Sequence, residues 1–320
     1  MEEFKNKITK LIEDKRSIKS NSLNTYINNL KNLLLLDKKK IDYEELLKIL
    51  KKPEKIFKLL ENKKITTQRN YYAAVVVFLK ALDNEKLTKI YSDKMIDLLN
   101  QNNEVINSNK KNESQNKNWT SLKKLRQVVN DYKKELEKRE AFKKDTLNKK
   151  EFETLQKYTI GAVYTLDPVN NPPLRNDYIM KVLNEKDYLK LDEEEIKKNN
   201  YLVIKSIKTK YFILGNYKTD KKFGTKKIKV GSKLNKVLNL WLKYNKTGHL
   251  FLDTRGQPIT PPGINKLLAR TFEPTGKQIG STMLRHIIIS ELFPPQTTER
   301  QKTADLMLHS RGMQGQYAKE

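Results

Sequence analysis

No cysteine occurs in the 320 residues. That excludes disulfides, thiolate-bound metal and a thiol nucleophile. Histidine is nearly as scarce. His249, His286 and His309 lie far apart, so a His-rich metal site is not expected. No run of about 18 apolar residues exists, so neither a membrane-spanning helix nor a membrane partner is expected. The opening stretch MEEFKNKITKLIEDK lacks the apolar core of a secretory signal, and the chain is expected not to be secreted. The nearest approach to a phosphate-binding loop, Thr275-Gly276-Lys277, lacks the first glycine of that motif. A nucleotide-driven motor is therefore disfavoured.

What is abundant is positive charge. The chain carries 65 Lys+Arg against 38 Asp+Glu, a formal net charge of +27. Ten of the basic residues are arginine and the rest lysine. The Lys/Asn/Ile bias matches AT-rich coding, but the excess of base over acid does not follow from it. Such a charge repels itself unless a polyanion is near, which points to nucleic acid or an anionic surface. Both halves are basic: residues 1–150 carry 36 Lys+Arg and 21 Asp+Glu, residues 151–320 carry 29 and 17. At 37% hydrophobic residues, the chain can bury real cores, and its length fits one large or two ordinary domains.

The first half reads helical. Leu23, Tyr26, Ile27, Leu30, Leu33 and Leu34 follow helical apolar spacing, with Ser22 as a candidate N-cap. Tyr71 to Leu82 is apolar all round, as in a helix buried within a bundle. Gln101 to Asn118 is Asn/Ser/Lys-rich and reads as a loop. Leu122, Leu125, Val129, Tyr132 and Leu136 line one helix face, with Lys123, Lys124, Arg126, Lys133 and Lys134 on the other, a candidate phosphate-backbone contact. Beyond the charged run Glu140 to Lys150, the pattern turns mixed. Tyr201 to Ile207, Tyr211 to Tyr217 and Lys226 to Val230 read as a three-stranded antiparallel meander with a turn at Lys221 to Gly224. Helices follow over Leu234–Tyr244, Gly263–Phe272, Thr282–Leu292 and Lys302–His309. The expected architecture is an all-α bundle over residues 1–145 and an α+β domain over residues 146–320.

Three features carry candidate chemistry. Leu174-Arg175-Asn176-Asp177 follows the loop Asp167 to Pro173. Thr282-Met283-Leu284-Arg285-His286 lies on an expected helix. Met307-Leu308-His309-Ser310 is followed eight residues after His309 by Tyr317. Because arginine is rare here, Arg175 and Arg285 stand out, and Arg285 sits between apolar neighbours, where an unpaired charge is costly.

In the order Arg175, Lys218, Arg285, His309, Tyr317 the sequence resembles the tyrosine recombinase (phage integrase) superfamily. That family's catalytic domain carries an arginine, a hairpin lysine, a His-x-x-Arg box, a late histidine and a nucleophilic tyrosine. The Thr-Leu-Asp-Pro and Pro-Leu-Arg-Asn-Asp context of Arg175 and the Tyr-Lys-Thr at 217–219 are similar to integrases of virophages and large DNA viruses. The resemblance covers roughly residues 150–320. It implies a SAM-like helical core-binding domain ahead of the catalytic one and a catalytic set of Arg175, Lys218, Arg285, His309 and Tyr317. It further implies double-stranded DNA as partner, a DNA-dependent tetramer, no cofactor or metal, and work in host cytoplasm, viral factory or nucleus.

The implied chemistry suits these residue types. Transferring a phosphodiester to a side-chain hydroxyl needs in-line attack and stabilised charge on the non-bridging oxygens. Two arginine forks supply that. A lysine can protonate the leaving 5′-oxygen, and His309 can donate to the phosphate. The sequence departs from the family pattern in three places. Thr282 stands where the box usually has His or Lys, leaving at most a phosphate contact there. Met-Leu-His replaces Leu-Gly-His at 307–309. Only Ala318, Lys319 and Glu320 follow Tyr317. His286 is one residue past Arg285, rotated by about 100°, and does not obviously replace Thr282. His249 reads as structural. The alternatives are a type IB topoisomerase, a catalytically dead DNA-binding protein on the same fold and, more remotely, a metal-dependent integrase.

Overall fold

The structure, a computed structural model, describes residues 2–107 and 110–293 together with Met307 and Tyr317. The chain divides into two compact units, Met1–Ser108 and Asn109–Glu320.

The first unit is built from α1 (Glu2–Glu13), α2 (Ser20–Leu36), α3 (Tyr43–Leu50), α4 (Pro53–Leu60), α5 (Ile65–Ala81) and α6 (Glu85–Asn107). Helix α2 starts two residues before the expected cap, with Lys19 at the N-cap, and buries Leu23, Ile27, Leu30, Leu33 and Leu34. Helix α5 is the central rod: Tyr72, Ala74 to Leu79 and Ala81 are all buried, which explains its lack of a polar face. Asp42 caps α3 by accepting from the backbone N–H groups of Glu44 and Glu45. The Tyr91 hydroxyl ties α6 to α3 by donating to the Leu50 carbonyl at 3.0 Å. Helix α6 runs into the stretch expected as a loop, because extending a nucleated helix by a few polar residues costs little.

The second unit opens with α7 (Glu113–Asn118), α8 (Leu122–Lys138) and α9 (Lys149–Thr165). Helix α7 also falls inside the expected loop, held by a capping box between Asn112 and Gln115. Helix α8 buries Leu122, Leu125, Val128, Val129 and Leu136 against α9. The two approach so closely at Gly161 that a Cβ there would lie 2.5 Å from Val129 Cγ2. This packing places α8 in the core of the second unit, so the division falls at 108/109 and not at 145/146. Charge divides accordingly: residues 1–108 carry 22 Lys+Arg and 15 Asp+Glu, and residues 109–320 carry 43 and 23. Net charges of +7 and +20 follow, so most of the excess resides in the second unit.

The sheet corrects the sequence expectation. It has four strands in the order β1-β2-β3-β4: β1 (Lys181–Asn184), β2 (Asn200–Ile204), β3 (Lys210–Leu214) and β4 (Lys226–Lys229). Strands β2, β3 and β4 pair antiparallel, but β1 pairs parallel to β2. The mixed sheet needs a crossover from β1 to β2, supplied by α10 (Glu185–Tyr188) and α11 (Glu193–Lys198). Strand β1 is a four-residue Lys-Val-Leu-Asn run, too short to carry a periodic signal. Alternation decides the faces. Leu202, Phe212 and Leu214 join the main core, whereas Tyr201, Val203 and Ile213 form a smaller cluster with Tyr188 and Leu191.

The β3–β4 connection holds α12 (Asp220–Phe223), followed by Gly224 at φ +64°, a left-handed position that glycine tolerates. The remaining helices are α13 (Ser232–Tyr244), α14 (Pro261–Thr271) and α15 (Ser281–Leu292). The expected helix at Lys302–His309 lies outside the described residues apart from Met307. Among the described residues no helix is long and apolar enough to cross a membrane.

Candidate active site

The loop after α9 and the first turns of α15 are joined by a polar frame. Tyr164, buried in α9, donates to the Arg175 carbonyl at 2.6 Å. The Arg175 N–H donates to Asp177 Oδ2 at 3.2 Å, and Asn200 of β2 donates to the Asp177 carbonyl at 3.1 Å. The Ser281 hydroxyl lies 2.9 Å from Asn176 Oδ1 and 3.1 Å from Asn265 Oδ1. Asn265 Oδ1 also accepts the Ser281 N–H at 3.0 Å. Arg175 is thus carried on a short loop fixed to α9, β2 and α15. Asn171 anchors the loop's start to the sheet, accepting the Gly231 N–H at 2.7 Å and donating to the Lys229 carbonyl at 3.1 Å.

Arg285 projects from α15 into this frame and is 1% exposed. Among the described residues, its Nε, Nη1 and Nη2 are all buried and lack a hydrogen-bond partner. Unpaired, a buried guanidinium is strongly unfavourable. Burial pulls its pKa down to about 10, and the Arg175 charge adds to that; Tyr317, Asp177 and Tyr164 act the other way. The group remains a cation at neutral pH. Burial also raises the Asp177 carboxyl above its ordinary range, although Arg175 and Arg285 pull it down. Asp177 is therefore the carboxylate that feels both arginines. The Tyr164 and Tyr178 hydroxyls, fully enclosed, are pushed far up by burial and stay neutral.

Tyr317 covers Arg285. Its ring centre lies 4.5 Å from the guanidinium carbon, a cation–π distance. The imidazole of His286 lies 5.0 Å from the same ring. Met307 is buried with Ile289 and Phe293, and Tyr317 packs against them.

The sequence-chosen residues distribute as follows. Arg285 and Tyr317 touch, and Arg175 lies within electrostatic reach of Arg285. Lys218 is exposed in the β3–β4 connection. Its neighbour Tyr217 is buried, donates to the Gly224 carbonyl at 2.6 Å and has its pKa pushed to about 12, mainly by burial and also by Asp220 and Asp177. The start of that connection is tied to the Asp177 loop through Asn200, whose Oδ1 accepts the Asn216 N–H at 3.0 Å and whose amide reaches the Asp177 carbonyl. Thr282 is exposed in the first turn of α15. It borders a cleft of about 470 Å³ with His286, Asn112, Gln115, Asn118 and Asn265. His309 lies outside the described residues. His249 sits in an isolated bridge with Lys181.

On α8, Lys123, Lys124 and Lys134 are exposed. Arg126, also exposed, donates from Nε to the Thr165 carbonyl at 2.8 Å, and Lys133 pairs with Glu137 at 3.2 Å. Those two have local structural work besides any contact with a phosphate.

Sequence reasoning singles out none of Asn176, Ser281, Asn265 and Ser290, and it sets aside His286. The last two are four residues apart on α15, a spacing that places them on one helix face.

No protein-family model matches the chain. No curated protein matches it. Among solved structures it is similar to one described as XerA recombinase, with a TM-score of 0.40 and 13% identity over 100% of this chain and 94% of that chain. A likeness this loose assigns no residue of the site.

Proposed function

We infer that the chain is a DNA strand transferase of the tyrosine recombinase type, acting through Tyr317. The observation that carries this reading is Arg285: a buried guanidinium whose three nitrogens have no hydrogen-bond partner among the described residues, set beneath a tyrosine ring. A phosphodiester supplies the acceptors that the cation lacks, in the planar geometry its fork favours. The excess of basic charge, concentrated in residues 109–320, suits duplex DNA as the partner.

The steps follow from these groups. Arg285 and Arg175 hold the non-bridging oxygens. The Tyr317 oxygen attacks phosphorus in line and releases its proton to solvent water, while the bond from phosphorus to the 5′-oxygen breaks. Lys218 donates the proton the leaving oxygen needs. The product is a 3′-phosphotyrosyl link and a free 5′-hydroxyl. Attack by a 5′-hydroxyl reverses the sequence and restores the tyrosine, so neither ATP nor a metal ion is required. His309 serves as a further donor to the phosphate. The first unit takes the core-binding part, and the active assembly is a tetramer on two duplexes. The sequence around Arg175 and Lys218 supports a kinship with viral integrases.

Thr282 favours a second reading, a DNA-binding protein that no longer cleaves, because threonine is a poor proton acceptor. One experiment separates the two. A duplex nicked so that cleavage releases the short fragment carrying the new 5′-hydroxyl is incubated with protein in EDTA and run on a denaturing gel. A covalent adduct that disappears in Tyr317→Phe supports the transferase. Binding without an adduct on any duplex supports the second reading.

A further inference from the structure

Three side chains of α15 close on Tyr317. Arg285 faces its ring. The imidazole of His286 lies 5.0 Å away, tilted by 47°. The Tyr317 backbone carbonyl is 3.0 Å from His286 Nδ1 and 3.4 Å from Ser290 Oγ. Ring and backbone are therefore held from one helix. The arginine face sets the plane of the phenol, and the bond to the carbonyl sets the level at which the residue sits along α15. A carbonyl offers only lone pairs, so Nδ1 must carry the hydrogen, which fixes the tautomer of a neutral ring.

We propose that His286 is a positioning residue, which places the Tyr317 phenol over Arg285 by donating from Nδ1 to the Tyr317 carbonyl. The proposal rests on the reading of Tyr317 as nucleophile. Its catalytic weight follows from geometry: a reacting group displaced by about 1 Å can lose about 100-fold in rate. Ser290 supplies a weaker second donor at the same carbonyl.

Two measurements test it. In DNA-free protein carrying labelled His and Tyr, the His286 ring shows nuclear Overhauser contacts to the Tyr317 ring. Their absence overturns the placement whatever the catalysis. The second measurement is the first-order rate of adduct formation at saturating nicked duplex, compared for His286→Ala, His286→Gln and His286→Asn. An asparagine amide can reach the Nδ1 position, whereas a glutamine amide reaches toward Nε2. Ala and Gln variants are expected to lose about 10- to 100-fold. The Asn variant keeps most of the rate, and DNA affinity is unchanged in all three. A wild-type rate in His286→Ala, no rescue by Asn, or a defect confined to DNA affinity overturns the proposal. Should His286→Ala melt at low temperature, the Asn/Gln contrast still decides. Wild-type protein that shows the ring contacts but forms no adduct contradicts the nucleophile reading instead, and the positioning role falls with it.

Discussion

Arg285 and Tyr317 form a stacked pair, the guanidinium carbon 4.5 Å from the ring centre, in which the cation's nitrogens have no hydrogen-bond acceptor among the described residues. A cation–π interaction of about 0.5–2 kcal/mol does not replace the hydration that a guanidinium gives up on burial. The site is thus arranged at a cost to the free protein.

That cost is measurable. Arg285→Met keeps much of the side-chain length and removes the buried charge. The free variant is expected to be at least as stable as wild type, by up to about 1–4 kcal/mol, in a denaturant titration. Its adduct formation falls by about 100-fold or more. A clear loss of stability would mean that the guanidinium is satisfied in the free protein.

Asp177 supplies a pH test. Burial raises its carboxyl above the ordinary value of 3.8, so between 3.8 and the raised value the folded protein binds more protons than the unfolded chain. Stability contributed by this group therefore falls as pH rises through that window. Asp177→Asn removes the effect. Its stability relative to wild type is expected to improve as pH increases from about 4 toward neutrality. A difference that is flat with pH, or that runs the other way, shows that Arg175 and Arg285 outweigh burial.

The basic residues of α8 should separate into two behaviours. Lys123, Lys124 and Lys134 are exposed. Changing them to Gln should weaken binding to any duplex and reduce the salt slope by about one for each phosphate that is no longer neutralised. Arg126→Ala removes the bond to the Thr165 carbonyl and should lower stability by about 1–3 kcal/mol as well. Binding titrations at several salt concentrations, beside thermal melts, distinguish them.

Lys210 gives a control remote from the proposed chemistry. It is 1% exposed, and its ammonium donates to Asn235 Oδ1 at 2.9 Å, to the Ile207 carbonyl at 3.3 Å and to Asn239 Oδ1. Lys210→Met strands Asn235 Oδ1, although the Ile207 carbonyl keeps the Asn235 and Asn239 amide donors, and should destabilise the fold by about 1–3 kcal/mol, while adduct formation per folded molecule stays at the wild-type rate.

Much of the helical pattern is legible in the sequence because amphipathic spacing is a local signal. The apolar stripe of α8 and the uniformly apolar α5 can be read directly. Allegiance of an element to a core cannot. Helix α8 sits in the second unit because Val129 meets Gly161 across the chain, and nothing within α8 announces that partner. Strand β1 escapes notice for a related reason: four residues carry no period, and its pairing with β2 depends on a crossover. At the candidate site, motif order singles out Arg175, Arg285 and Tyr317, because arginine is rare here and the spacing from His309 is specific. The groups that hold them are invisible in the sequence. Asn176, Ser281 and Asn265 converge from three separate segments. Helical rotation from Arg285 argues against His286, yet a side chain reaching a backbone carbonyl needs no shared face with its neighbour.

Identifying the residue joined to DNA decides whether Tyr317 is the nucleophile. Wild-type protein is trapped on a nicked duplex in EDTA, digested with protease and nuclease, and the modified peptide sequenced by mass spectrometry. The expected product is a nucleotide attached through its 3′-phosphate to Tyr317. Attachment to another residue, or cleavage that leaves no covalent protein and depends on a divalent metal, would overturn the assignment.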